Sequence, residues 1–84
     1  MQGFNIRVNK SKGVIELPRT KLKGYRVMLG KSQDEMAKMF GITKQAYSAK
    51  ERGISRFTDN EMITIKEMLK PIFPEITIDE IFFS

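Results

Sequence analysis

After residue 20, apolar positions recur at intervals of three and four, the spacing of one face of an α-helix. The first such segment predicts a helix over about Lys21–Leu29, which Thr20 is placed to cap and Gly30 to end. The face that this helix would bury carries Leu22, Tyr25, Arg26 and Leu29.

Three later segments each begin with a Ser or Thr that a Glu follows three residues on, which is the pattern of a capping box. In a capping box the hydroxyl accepts from a backbone N–H, while the carboxylate accepts from the N–H of the cap residue. One match is common by chance, but three at the starts of apolar-periodic segments predict a consistent set of helices. The pairs are Ser32 and Glu35, Thr58 and Glu61, and Thr77 and Glu80.

The helix that follows Thr58 supplies much of the predicted core. Met62, Ile65 and Leu69 form one stripe at helical spacing, and we expect Ile63 and Met68 to widen it. Across the chain, the residues expected in the core include Met36, Ala37, Phe40, Tyr47, Met62, Ile65 and Leu69.

Two of the predicted helices are joined by a very short connection. The segment Ser32–Phe40 ends at Gly41, Thr43 is placed to cap the next helix, and Gly53 closes it. The outward positions of that second helix carry Lys, Gln, Ser and Arg. This is the layout of a helix-turn-helix, whose second helix enters the major groove of DNA. A sequence-specific DNA-binding regulator is therefore the leading hypothesis.

Alternating residues near the N-terminus predict a β-hairpin. Phe4–Val8 and Val14–Leu17 have strand character, and Asn9–Gly13 is turn-like. We accordingly divide the chain into a hairpin extension, residues 1–19, and a helical domain, residues 20–84. The role that we favour for the hairpin is packing on the core or on a partner, through the apolar side chains of Phe4, Ile6, Val8 and Ile15. The alternative is contact with DNA through Arg7, Lys10 and Lys12.

Composition narrows the chemistry. The chain has 84 residues and contains neither Cys nor His, so disulfides, zinc fingers, thiol nucleophiles and imidazole bases are excluded. No run of eighteen apolar residues and no signal-peptide core is present, so we expect a cytoplasmic protein without a membrane segment. With no clustered carboxylates in its basic half, the chain is not expected to be an enzyme or to bind a cofactor, a metal or a small-molecule ligand.

Charge is distributed unevenly along the chain, whose net charge is +5. Residues 1–26 have a net charge of +6 and residues 41–56 one of +3, whereas residues 57–84 have one of −4. This asymmetry suits a domain that presents one face to phosphate, although a solvated surface would carry it equally well.

From Thr20 to about Phe82, the chain resembles the lambda-repressor-like helix-turn-helix domains of phage repressors, Cro proteins and xenobiotic-response-element regulators. The resemblance is carried by Ser32-Gln33, Ala37, Gly41-Ile42-Thr43, Glu51-Arg52-Gly53 and Ile78-Asp79-Glu80-Ile81-Phe82. It implies a mainly α, five-helix DNA-binding domain.

The resemblance also implies roles for particular residues. Base contacts are expected from Lys44, Gln45 and Ser48, which agrees with the ability of Gln to pair with adenine and of Lys to donate to guanine. Arg26 and Glu51 match an internal ion pair between the first and third helices. The resemblance implies that Gln33 also braces the third helix. Contacts to the DNA backbone are expected from Gln33, Thr43, Arg52, Ser55 and Arg56.

Two residues depart from the family pattern. Lys50 stands where an apolar residue usually packs inward, so we expect either its aliphatic stem to pack while the amine reaches solvent or the helix to rotate slightly. Ala49 stands where many relatives carry a long polar side chain, which leaves base recognition to fewer residues.

The apolar C-terminal segment has two possible uses. Ile78, Ile81, Phe82 and Phe83 either close the core or form a two-fold interface, and both uses can hold together. We therefore expect a phage Cro-type or repressor-type regulator that binds a pseudo-palindromic double-stranded DNA operator as a homodimer. The alternative is a protein-interaction module on the same scaffold, such as an antirepressor or a phage-encoded inhibitor.

Overall fold

The computed structural model describes the backbone of residues 7–9, 14–16 and 20–83, and the side chains of residues 21–83. In this part of the chain, two strands precede five helices. The strands are β1 (Arg7–Asn9) and β2 (Val14–Glu16); the helices are α1 (Thr20–Met28), α2 (Gln33–Phe40), α3 (Lys44–Glu51), α4 (Asp59–Leu69) and α5 (Ile78–Phe82). The prediction of a mainly α, five-helix domain is confirmed.

The two strands pair as an antiparallel hairpin. Arg7 lies opposite Glu16, Val8 opposite Ile15, and Asn9 opposite Val14. Phe4, Ile6 and the turn residues 10–13 lie outside the described residues, as do all hairpin side chains. The packing role that we favour for the hairpin therefore stays a prediction.

All three predicted capping boxes are confirmed. Ser32, Thr58 and Thr77 occupy the N-cap positions of α2, α4 and α5, and each hydroxyl accepts from the N–H of the glutamate three residues on. The glutamates in turn accept from the N–H groups of the cap residues at 2.8–3.0 Å. The helix starts therefore follow directly from the sequence. The first helix differs, because α1 begins at Thr20 itself rather than after it.

The helices enclose one small core. It is formed by Leu22 from α1, Met36 and Ala37 from α2, Tyr47 from α3, Ile65 and Leu69 from α4, Ile81 and Phe82 from α5, and the loop residues Phe57 and Ile76. Aromatic rings connect its parts: Tyr47 lies 6.0 Å from Phe57, and Phe57 lies 5.2 Å from Phe82. The recognition helix candidate α3 is thus tied by its buried face to the C-terminal end of the domain.

Most of the expected core residues are buried, but one predicted extension of the stripe on α4 is wrong. Ile65 and Leu69 are buried, and Met62 and Met68 are half-buried against the core. Ile63, in contrast, is 48% exposed. It lies two positions from Ile65, a rotation of about 200° around a helix, and so points away from the core.

Candidate nucleic-acid interface

The turn between α2 and α3 is set by backbone geometry. Gly41 adopts a left-handed conformation with φ of 69°, and its N–H lies 3.2 Å from the carbonyl of Lys38. The next N–H, of Ile42, donates to the carbonyl of Ala37 at 3.0 Å. These bonds satisfy the free carbonyls at the end of α2 and reverse the chain within a few residues. Thr43 then caps α3, its hydroxyl accepting from the N–H of Ala46 at 3.0 Å.

One face of α3 is directed outward. Lys44 and Gln45 are exposed and Ser48 is half-buried, while Tyr47 and Glu51 of the same helix are buried. Positions 44, 45 and 48 are related by three and four residues, so their side chains share one surface of the helix. The structure therefore brings the three candidate base-contacting residues together. Ala49 is half-buried beside them.

A buried carboxylate holds α3 against α1. Oε2 of Glu51 accepts from Nε of Arg26 at 2.8 Å, and Oε1 accepts from Nη2 of the same guanidinium at 3.0 Å. The two side chains are only 9% and 5% exposed. Nη1 of Arg26 also donates to the carbonyl of Lys31 at 2.9 Å, so the pair fixes the turn after α1 as well.

Two further donors complete the surroundings of Glu51. The Tyr47 hydroxyl donates to Oε2 at 2.8 Å, and Nε2 of Gln33 donates to Oε1 at 3.0 Å. The four donors come from α1, α2 and α3, so a single carboxylate joins all three helices. Gln33 was expected to contact phosphate and to brace the recognition helix; the structure shows the contact with the helix, and phosphate contact stays a prediction.

The network keeps its charges at neutral pH. Burial alone would raise the pKa of Glu51, but hydrogen bonds from Arg26, Gln33 and Tyr47 outweigh it, and the pKa lies below the ordinary 4.5. The hydrogen bond with Glu51 raises the pKa of Arg26. Burial, followed by the hydrogen bond to Glu51, raises the pKa of Tyr47 far above its ordinary value. The carboxylate and guanidinium therefore form a permanent ion pair.

A basic cleft lies beside the start of α2. It has a volume of about 340 Å³ and is lined by Lys23, Arg26, Ser32, Gln33, Asp34 and Lys44. Three of these side chains are cationic and one is acidic. The N-terminal turn of a helix also favours anions through its backbone N–H groups. Because Arg26 is already paired with Glu51, Lys23 and Lys44 are the cations of this cleft that suit a phosphate of the DNA backbone.

The loop after α3 carries the other candidate backbone contacts. Arg52, Ser55 and Arg56 are all exposed. Gly53 turns the chain with φ of 82°, and the N–H of Ile54 donates to the carbonyl of Ala49 at 2.9 Å. These three polar side chains therefore follow directly on the end of the helix that carries Lys44 and Gln45.

A helix-turn-helix family model matches residues 22–70, more than half of the chain. The chain belongs to the lambda-repressor-like helix-turn-helix family. Members of this family are DNA-binding regulators and not enzymes. Comparison with curated proteins and with solved structures gave no match. The family match runs from α1 to the end of α4 and so includes the residues of the candidate nucleic-acid interface.

Some features of this helix-turn-helix domain were missed from the sequence. Lys23 was not predicted to contact DNA, although it precedes Arg26 by three residues and so shares a face of α1 with it. Gln33 was expected to brace the recognition helix, but Glu51 was not predicted as the residue that it contacts there. For Lys50, the ion pair of its amine with Glu61 was not predicted: the side chain is 14% exposed and its Nζ lies 3.1 Å from Oε1 of Glu61.

The C-terminal helix of the domain divides its apolar residues between core and surface. Ile81 and Phe82 are buried within the single chain, and Ile78 is half-buried, so these side chains close the core. Phe83 is 64% exposed, at the edge of a cleft that Phe57, Met62 and Phe82 also line. Of the four candidates for a dimer interface, Phe83 thus offers the most exposed surface.

Two further observations concern the described residues alone. None of their helices is both long enough and apolar enough to cross a membrane. Nor do their carboxylates form a group of three that could hold a metal ion.

Proposed function

We propose that this chain is a transcription regulator of the phage Cro or repressor type that binds a specific operator through α3. The observation that carries the proposal is the shared surface of Lys44 and Gln45, which are exposed, and Ser48, which is half-buried, on a helix that Glu51 fixes to α1. A rigid helix with polar side chains on one face suits direct recognition of base edges in the major groove.

The proposed contacts fall into two classes. Lys44, Gln45 and Ser48 contact base edges and so determine sequence preference. Contacts to the sugar-phosphate backbone fix orientation and supply affinity that depends on salt. For these we propose the cleft beside α2 and the residues Gln33, Thr43, Arg52, Ser55 and Arg56.

We also propose that the regulator acts as a homodimer. Two-fold symmetry then requires a pseudo-palindromic operator with half-sites about 34 Å apart, or one turn of DNA. The apolar surface that we propose for the interface is the exposed ring of Phe83 together with the adjacent cleft, which Phe57, Met62 and Phe82 also line. The proposed site of action is the cytoplasm, where such a regulator meets its DNA.

Selection of bound sequences from a random pool of double-stranded DNA tests this function. The expected result is one enriched, pseudo-palindromic sequence, and affinity for random DNA that falls with salt. Each phosphate neutralised by Lys or Arg adds about −0.9 to the slope of log affinity against log salt. A variant with Lys44, Gln45 and Ser48 all changed to alanine serves as the matched control and should lose the enrichment.

A second function, a protein-interaction module, is favoured by one observation only, the exposed Phe83 beside its partly apolar cleft. This alternative predicts negligible DNA binding at every salt concentration and no enriched sequence. An enriched sequence that depends on Lys44, Gln45 and Ser48 would exclude it as the main function.

A further inference from the structure

Lys50 lies at the junction of α3, the following loop and α4. Its Nζ donates to the carbonyl of Arg56 at 2.8 Å and lies 3.1 Å from Oε1 of Glu61. The same ammonium is 5.7 Å from the centre of the Phe57 ring. The Lys50 and Glu61 side chains are 14% and 12% exposed. The amine therefore contacts two acceptors of its own chain.

Glu61 links this contact to the start of α4. Its Oε1 also accepts from the N–H of Thr58 at 2.9 Å, as the glutamate of the capping box. One carboxylate oxygen thus holds both the cap of α4 and the lysine of α3. Because the capping box holds the carboxylate of Glu61 in place, the ammonium of Lys50 has a partner whose position is fixed.

The loop that Lys50 contacts carries two of the proposed DNA-backbone residues. At its beginning, the N–H groups of Ile54 and Ser55 donate to the carbonyl of Ala49 at 2.9 and 3.3 Å. At its end, Thr58 caps α4. Between these anchors, the carbonyl of Arg56 accepts from Lys50, while the Arg56 side chain is exposed.

We infer that Lys50 is a positioning residue for DNA binding, which fixes the backbone at Arg56 and thereby directs the Arg56 guanidinium toward the DNA backbone. This inference rests on the proposed function. An apolar side chain at position 50 would have no donor for the carbonyl of Arg56 and no charge for the carboxylate of Glu61. What the amine adds is a charge-assisted hydrogen bond to the loop and an ion pair with the helix cap.

The sharpest test is a double-mutant cycle between Lys50 and Arg56, measured as the salt dependence of affinity for random duplex DNA. Lys50→Met keeps the length of the stem and removes the amine. Arg56→Ala removes one phosphate contact and should reduce the magnitude of the slope by about 0.9. We expect Lys50→Met to reduce the magnitude of this slope by part or all of the same value, about 0.9. The slope of the double variant should then equal that of Arg56→Ala alone.

Two outcomes would overturn the inference. An unchanged slope in Lys50→Met would make Lys50 a purely structural residue, whose loss affects stability alone. Additive reductions in the double variant would make Lys50 a phosphate ligand in its own right. Lys70→Ala, which removes an exposed cation at the end of α4, is the control for a general change in charge.

Two further measurements keep the test decisive. If Lys50→Met does not fold, Glu61→Gln replaces it, since glutamine can still accept from Thr58 but no longer attracts the ammonium. Without DNA, hydrogen exchange at the amides of Ile54 and Ser55 should be faster in either variant, and exchange within α2 unchanged. Failure of the proposed function is distinct, because the wild type would then itself show no salt-dependent binding.

Discussion

The carboxylate of Glu51 and the guanidinium of Arg26 share two hydrogen bonds, of 2.8 and 3.0 Å, between residues 25 positions apart in the chain. The pair joins the proposed recognition helix α3 to α1, and both side chains are buried. The geometry of this pair therefore determines how α3 presents Lys44 and Gln45.

Replacing Glu51 by glutamine should strongly destabilise the domain. The change leaves the buried cation of Arg26 without its counter-charge, which costs about 3–5 kcal/mol of the free energy of unfolding. Urea unfolding followed by circular dichroism measures this loss. Asp34→Asn is the control, because Asp34 pairs with Lys38 at 3.4 Å on an exposed surface, where a pair contributes about 0–1 kcal/mol. Equal losses in the two variants would contradict the structural role of Glu51.

The same pair predicts how stability depends on pH. The pKa of Glu51 is lower in the folded protein than its ordinary 4.5, so its stabilisation is fully present above about pH 4.5 and is lost as the pH falls through the lowered value. The difference in unfolding free energy between wild type and Glu51→Gln should thus be constant from pH 6 to 8 and shrink in acid.

Glu35 provides the comparison for this pH series. The hydrogen bond from the backbone N–H of Ser32 lowers the pKa of Glu35, but the side chain is exposed. Glu35→Gln keeps the cap acceptor and should leave most of the acid sensitivity in place. If Glu35→Gln, rather than Glu51→Gln, removed that sensitivity, the exposed cap and not the buried pair would be the titrating element.

The turn between α2 and α3 predicts opposite effects for two glycine substitutions. A Cβ on Gly41 or on Gly24 would meet no heavy atom within 4 Å, so neither alanine creates a clash. Gly41 has φ of 69°, which costs alanine about 1–2 kcal/mol, whereas Gly24 lies inside α1, where alanine gains about 1 kcal/mol. Thermal unfolding should therefore show Gly41→Ala destabilised and Gly24→Ala stabilised; the same sign for both would contradict this account.

The helix starts could be predicted from sequence because their signals are local. A capping box needs only a hydroxyl and a carboxylate three residues apart, and Ser32, Thr58 and Thr77 all form one. The glycine turn at Gly41 is equally local, since its left-handed conformation depends on the absence of a side chain.

The side-chain network could be predicted only in part because its members meet through tertiary packing. Gln33 and Glu51 are 18 residues apart, and nothing in the sequence around either one indicates the 3.0 Å bond. The amine of Lys50 depends in the same way on where the Arg56 carbonyl and Glu61 come to lie. The Arg26–Glu51 pair was expected only through the resemblance to the family.

Gln45 should determine sequence preference without determining general affinity. A bidentate contact between glutamine and adenine contributes about 1–3 kcal/mol of discrimination, so Gln45→Ala should weaken operator binding by that amount and leave binding to random DNA nearly unchanged. Competition binding with operator and random duplexes measures both. Asn60→Ala, an exposed amide on α4, is the matched control. Equal losses for the two DNAs would show that Gln45 contacts the backbone instead.

Phe83 should determine dimer formation if the C-terminal end of the domain is the two-fold interface. An aromatic side chain at the centre of an interface contributes about 2 kcal/mol or more, so Phe83→Asp should weaken dimerisation at least tenfold in sedimentation equilibrium. Folding should survive, because the ring is 64% exposed and the adjacent Phe82 supplies the core contact.

Ile72→Asp is the control for this prediction, since Ile72 is also about half exposed, at 47%, but lies in the loop before α5. Binding to a full operator should then fall toward that of a single half-site in Phe83→Asp alone. A dimer of unchanged affinity would move the interface elsewhere and leave base recognition by α3 untouched, because Phe83 lies outside that helix.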